Sequence, residues 1–323
     1  MGSSSAPPSP EFLAAFRTAA GPEGTLAFAR FMELALYHPV VGYYRRDRPR
    51  VGKRRDADFY TATSLGPVFG ELVAAACLRL LGDRDPRAHT FVEIGAEPGG
   101  GVLTGMAHPF GAVRNLGSGD PLELTGDCVV FSNELFDAQP FARTVFRDGR
   151  WRETGVKLEA DRLVEIELPF ENGGAAAAEG YRFDRPLAAV ALAERIARQP
   201  WRGLFVAFDY GKSLAELTGH TPGGTARAYF RHQMSDDLLA RPGDQDLTCH
   251  VCWDWLEAAL SRHGFAEPRL DFQETFFVRH AMPALAAVSE SEAGGVTKRK
   301  LALMQLLHPA GLGQKFQVLH ARR

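Results

Sequence analysis

Val92-Glu93-Ile94-Gly95-Ala96-Glu97-Pro98-Gly99-Gly100-Gly101 is the stretch on which the fold turns. A short apolar segment that ends in an acid and runs into a glycine-dense bend reads as the first strand of a nucleotide-type α/β sheet, opening onto a loop with few side chains. Glycine lacks a Cβ and accepts positive φ, so such a loop turns sharply and can bring backbone amides close to a ligand. The same run also fits a plain turn, and the flanks have to decide between the two.

Downstream, Asp127-Cys128-Val129-Val130-Phe131-Ser132-Asn133-Glu134-Leu135-Phe136-Asp137 is an apolar strand that empties directly into an amide and two carboxylates. Open α/β sheets bind ligands at that carboxyl edge. Paired carboxylates there can hold a guanidinium or ammonium and take its proton; the simpler alternative is that Asp137 caps a helix and Glu134 forms an ordinary ion pair. Gly203-Leu204-Phe205-Val206-Ala207-Phe208-Asp209-Tyr210-Gly211 repeats the device, a buried strand stopping at an acid, an aromatic and a glycine. Two strand ends of one style argue for a shared crevice.

With 323 residues, 45% hydrophobic and 24% charged, the chain can bury a sizeable core. A formal net charge of −2 gives no electrostatic footprint for nucleic acid or an anionic membrane, and neither is an expected partner. The basic run of Arg45, Arg46, Arg48, Arg50, Lys53, Arg54 and Arg55 reads as a solvated loop or, less simply, a docking patch. Cys77, Cys128, Cys249 and Cys252 are too few and too scattered for a disulfide framework, so a reducing, cytoplasmic setting is expected. Cys249-His250-Val251-Cys252 has knuckle spacing without a second ligand pair; packed thiols are the simpler reading and no metal is expected. Residues 1–10 are Ser/Pro-rich and read as a disordered lead, not a signal peptide.

Apolar spacing predicts helices over Glu11–Ala20, Thr25–Tyr37, Pro67–Leu81, Leu187–Arg198, Trp253–His263 and Lys298–Leu307. Alternation predicts strands over Arg143–Val156, Leu163–Pro169 and Asp271–Arg279, with a last one at Phe316–His320 and a strand or extended turn at Val40–Tyr44. Asn172–Gly180 reads as a surface loop, Pro222–Arg231 as a flexible segment and Arg241–Thr248 as a polar turn. The order of elements is α/β, with antiparallel strands at the end.

Taken together the chain resembles the MidA-like family of S-adenosylmethionine-dependent methyltransferases, relatives of a mitochondrial complex I assembly factor that methylates a protein arginine. The resemblance runs collinearly through Phe28–Pro39 with Gly42-Tyr43-Tyr44, Asp58-Phe59-Tyr60-Thr61, Pro67–Glu71, Val92–Gly95, Ser132–Pro140, Asp209-Tyr210-Gly211, Arg227-Ala228-Tyr229 with His232, Pro242-Gly243 with Asp246-Leu247-Thr248, and Phe316–Leu319. It implies a Rossmann-like class I methyltransferase sheet with N-terminal helices and an inserted substrate-side subdomain. The implied layout is a single domain over 11–323: a helical part at 11–90, core sheet at 91–145 and 200–323, and an insert at 146–199. S-adenosyl-L-methionine is the implied cofactor, held by Glu93, Gly95, Gly99, Thr61, Asn133 and Asp209. Glu134, Asp137 and Asn133 are implied at the reaction centre, Glu134 gripping a substrate guanidinium and Asp137 orienting it or relaying its proton. A protein substrate or partner follows, with a respiratory-complex subunit as one candidate.

Two departures from the family pattern leave a cofactor-free binding or assembly protein as the alternative. The family's loop reads glycine, proline, glycine, arginine, glycine, whereas Glu97 and Pro98 stand here for the middle glycine and the arginine. Between Gly101 and Asp127 lie only 25 residues (102–126), hardly room for a helix, an acid-tipped second strand and a further helix. Ala112–Leu116 is the one strand remnant there, with Asn115 or Arg114 at its tip and Asp120 beyond.

Overall fold

The structure, a computed structural model, describes residues 7–45, 65–171, 174–291 and 297–323. Thr61, the Asp58–Ser64 bend and the basic run beyond Arg45 lie outside the described residues. The chain divides into two compact units, one formed by 1–60, 136–191 and 212–252, the other by 61–135, 192–211 and 253–323.

The second unit is built on a six-stranded sheet whose strands are β1 (Thr90–Ile94), β2 (Ala112–Leu116), β3 (Gly126–Asn133), β4 (Trp201–Asp209), β5 (Ala266–Phe272) and β6 (Gln317–Arg322). Their order is β5-β6-β4-β3-β1-β2. β2, β1, β3 and β4 are parallel, while β6 runs antiparallel to both β4 and β5. Central strands in such a sheet are covered on both faces and read as continuous apolar runs. Phe91, Val129, Phe131, Leu204, Val206 and Phe208 accordingly form one cluster with the buried stripe of helix α1 (Pro67–Leu81). Phe69 of α1 meets Phe208 edge-on at 5.4 Å between centroids, and Phe91 stacks on Phe131 at 5.5 Å. Helices α2 (Trp253–Arg262), α3 (Gln273–His280), α4 (Met282–Ser291) and α5 (Lys298–Leu307) complete the unit.

The first unit contains a five-stranded antiparallel sheet made of Thr25–Ala27, Ala142–Arg147, Arg150–Glu159, Arg162–Pro169 and Arg182–Arg185. Asp148 and Gly149 join two of these strands with φ of 51° and 73°, the pairing that a tight two-residue hairpin requires. Helices Pro10–Ala20 and Phe28–Tyr37 bring Phe12, Phe16, Phe28 and Phe31 into a separate apolar cluster.

Three local expectations are corrected. Asp271–Arg279 is not one strand: Gln273, Phe276 and Phe277 are buried at helical spacing, so the chain leaves the sheet at Phe272 and turns into α3. The helix expected from Thr25 starts at Phe28, because Thr25–Ala27 pairs with Gly155–Lys157 instead. Pro222–Arg231 is not a loose segment. The Asp184 carboxylate accepts the N–H groups of Thr225 (2.6 Å) and Ala226 (2.8 Å), is itself paired with Arg143 at 2.7 Å, and thereby starts the strand Arg227–Phe230, which pairs with Asp246–Thr248.

Candidate active site

The carboxyl ends of the parallel strands stand level, with Ile94 opposite Ser132 and Asn133 opposite Phe208. Glu134 N–H donates to the Phe208 carbonyl at 3.0 Å, which pins the chain leaving β3 to the end of β4. From β1 the chain crosses to β2 on one side and then back to β3 on the other, so the strand order reverses at β1. Ligands of open α/β sheets bind in the crevice that such a reversal leaves outside the strand ends. Glu93, Gly95, Asn133, Glu134 and Asp209, selected from sequence, are thereby brought to one edge of one sheet.

The loop after β1 is held by β2. The N–H groups of Gly95 (2.8 Å) and Ala96 (3.1 Å) both donate to the Leu116 carbonyl, with Gly95 at φ +86°. The Glu93 carboxylate turns back into the loop and accepts the Val102 N–H at 2.6 Å. Gly101 leaves room for this, since a Cβ there would overlap both the Glu93 carboxylate and the Asn115 amide and displace those side chains. Burial pushes Glu93 up to about 7, and the bond from Val102 works against that rise. Glu93 is thus committed to bracing the loop. Gly99 faces the other way: it is exposed, with none of the described residues within 4 Å of where a Cβ would stand. The Glu97 carbonyl accepts the Gly100 N–H at 2.9 Å, closing the turn between them.

The tip of β3 is differently made. Asn133 donates from Nδ2 to Glu134 Oε1 at 3.0 Å, while Asn133 Oδ1 is buried and accepts no hydrogen bond from the described residues. Glu134 has φ of 51°, a left-handed conformation that costs a non-glycine residue about 1 kcal/mol. Such strain is characteristic of functional positions. Asp209 is wholly buried and accepts the Tyr210 N–H at 2.8 Å; Tyr210 lies against Phe316 with centroids 4.2 Å apart. At the end of β2, Asp120 accepts the Gly117 N–H at 2.7 Å and is exposed, so the strand remnant does carry an acid just past its tip. Sequence reasoning missed the carbonyl of Leu116 and the amides of Gly95 and Ala96 as the clasp of this loop, for which no side chain gives a signal.

Asp137 belongs to the first unit. It is buried, and its carbonyl accepts the Cys249 N–H at 3.0 Å. Tyr37 and Tyr44 stack there at 5.3 Å, and Tyr44 donates to Asp246 at 2.8 Å. Burial first, then the negative charges of Asp246 and Asp137, hold the Tyr37 phenol far above its usual range. Cys249 and Cys252 are buried, and burial lowers the neighbouring His250 to about 4.

Residues 118–268 match the family model described as "Putative S-adenosyl-L-methionine-dependent methyltransferase". The mitochondrial protein arginine methyltransferase NDUFAF7 of Xenopus tropicalis is 23% identical over 72% of this chain and 67% of its own. A Burkholderia thailandensis protein crystallised with S-adenosyl-homocysteine superposes with a TM-score of 0.85 at 26% identity, over 99% of this chain and 95% of that one. A native structure from the same organism gives 0.80 at 25% identity, with the same coverage. Sheet order, strand reversal and glycine loop define the class, a Rossmann-like methyltransferase. More particularly, the family model, the Xenopus relative and the Burkholderia structure together support a MidA-like S-adenosylmethionine-dependent methyltransferase.

Proposed function

We propose that this methyltransferase binds S-adenosyl-L-methionine at the ends of β1 and β3 and methylates an arginine of a protein substrate. The observation that carries the reading is the Asn133 side-chain Oδ1, buried at the strand edge without a hydrogen-bond partner among the described residues. Buried acceptors are almost always satisfied, and the ammonium of an amino-acid moiety supplies the missing donor. The open side of Gly99 and the sharp turn at Gly95 let backbone approach the same moiety. Asp120 is the nearest substitute for an acid on the ribose hydroxyls. Thr61 keeps the cofactor-binding role implied by the family motif.

When bound, this cofactor supplies an electrophilic methyl group on a sulfonium, so the protein has mainly to align a nucleophile and accept its proton. Glu134 offers a carboxylate for the two parallel N–H bonds of a guanidinium, a planar recognition that lysine does not reproduce. Asp137 keeps the orienting or proton-relaying role implied by the family motif; within the first unit it lies buried beside Tyr37 and Tyr44. The arginine specificity of the Xenopus relative supports the guanidinium reading; a respiratory-complex subunit is then one candidate substrate. The four buried cysteines favour a reducing compartment, in keeping with a cytoplasmic enzyme.

Calorimetric titration of the full chain with S-adenosylmethionine and S-adenosylhomocysteine tests the cofactor half of the proposal. Micromolar binding is expected. Silence at millimolar ligand would hand the chain to the alternative of a cofactor-free binding or assembly protein.

A further inference from the structure

On the β5-β6 side of the sheet, away from the strand tips, three side chains of metal-binding type converge. Asp271 lies on β5 and His320 on β6, and the register pairs Arg269 with His320 and Asp271 with Val318. Asp271 and His320 are therefore diagonal neighbours on one face of the ladder. Helix α3 leaves β5 directly and ends at His280, which returns the imidazole to that face. His280 and His320 approach edge to face at 5.3 Å between centroids. One potential ligand atom from each of Asp271, His280 and His320 lies within 4.8 Å of the other two.

We propose that Asp271, His280 and His320 form a site for a divalent transition metal of the zinc type, unrelated to methyl transfer. His320 Nε2 and Asp271 Oδ2 are 3.5 Å apart, long for a hydrogen bond. Two ligands about 2.0–2.1 Å from one tetrahedral ion stand roughly 3.4 Å from each other, so that spacing suits an ion between them. His280, partly exposed at a helix end, has to close by about 1 Å to complete the set. Two imidazoles with one carboxylate select zinc over magnesium or calcium, which prefer all-oxygen shells. Arg279 pairs with Asp271 Oδ1 at 2.5 Å, orienting the carboxylate and leaving Oδ2 toward His320. That outer partner is what metal-ligating carboxylates ordinarily have.

Three protein ligands leave a coordination position open, and an opening exists. A cavity of about 490 Å³ is lined by His280 and His320 together with Arg79, Arg269 and Arg322. Its cationic wall lowers the affinity for a bare cation and favours a hydroxide or small anion as the fourth ligand.

The test is calorimetry of the tag-free full chain with zinc chloride, with magnesium chloride as the contrast, read alongside thermal melting. Zinc is expected to bind one equivalent at micromolar affinity and raise Tm, and magnesium to do neither. His280→Ala and the gentler His280→Gln should each lose at least about tenfold in zinc affinity while melting normally without metal, because His280 is only partly buried. The proposal fails if zinc gives no heat, if magnesium matches it, or if binding survives both His280 variants and disappears in Cys249→Ser/Cys252→Ser. Because the readout is zinc affinity, it stands or falls independently of cofactor binding.

Discussion

Two acids end two neighbouring parallel strands, and the molecule uses them in opposite ways. Glu93, near the end of β1, is buried and spends its carboxylate on the Val102 N–H, beside a glycine that has no room for a side chain. Glu134, just past β3, is half-exposed, sits at positive φ and is steadied by the Asn133 amide. One carboxylate is turned inward to shape a loop; the other, on the function proposed above, meets a ligand. The difference teaches that an acid at the end of a strand marks a position at the sheet edge, while its hydrogen-bond partners decide what it does there.

The sharpest way to break that contrast is Glu134→Ala. If the outward carboxylate grips the substrate, turnover on an arginine-containing protein should fall by about a hundredfold or more, while affinity for S-adenosylhomocysteine changes by less than about threefold. A variant that keeps its turnover would mean that the role belongs elsewhere. Loss of cofactor affinity in equal measure would mean that Glu134 supports the ligand itself.

Replacing the inward carboxylate should do the reverse. Glu93→Ala leaves the Val102 amide without its acceptor and is expected to cost roughly 1–3 kcal/mol of stability, whereas Glu93→Gln keeps an acceptor oxygen and should cost less. The two proteins should also diverge with pH. With a folded-state value near 7 against an ordinary 4.5, protonated Glu93 is favoured by folding. Its stabilising contribution is full below pH 4.5 and is lost as the pH rises through about 7. The Tm of the wild type relative to Glu93→Gln should therefore decline between pH 5 and 7.5 in thermal melts; a flat difference would show that the carboxylate is solvated after all.

Much of this edge was legible in the sequence because strand ends announce themselves: an apolar run, then an acid, then glycine. Glu93, Asn133, Glu134 and Asp209 were found that way, and the register places all four at one side of the sheet. The clasp at Leu116 was not legible, being made of backbone groups on a strand only five residues long. Nor was the Asp271, His280 and His320 cluster. Asp271 to Arg279 alternates well enough to pass for a strand, and that reading puts His280 beyond the end of an extended chain instead of folding it back over β5. The buried pair of Arg143 and Asp184 was hidden for a related reason, since its partners lie 41 residues apart and the N–H groups it satisfies a further 41 or 42 beyond.

Glu97 sharpens the comparison at its weakest point, because it brings a third acid to the same edge, in the loop that Glu93 braces. It stands where the family pattern has glycine, and the amino-acid end of the proposed cofactor carries a carboxylate as well as an ammonium. If Glu97 faces that carboxylate, Glu97→Gly should tighten S-adenosylhomocysteine binding about fivefold, the equivalent of about 1 kcal/mol of relieved repulsion. The gain should shrink as salt is added, since screening weakens the repulsion in the wild type first. Calorimetry at low and high ionic strength separates this from a simple gain in loop freedom, which salt would not touch. Weaker binding in Glu97→Gly would reverse the sign of the argument: the acid would then be pairing with the ammonium, and the departure from the family loop would be an adaptation of the site instead of a defect in it.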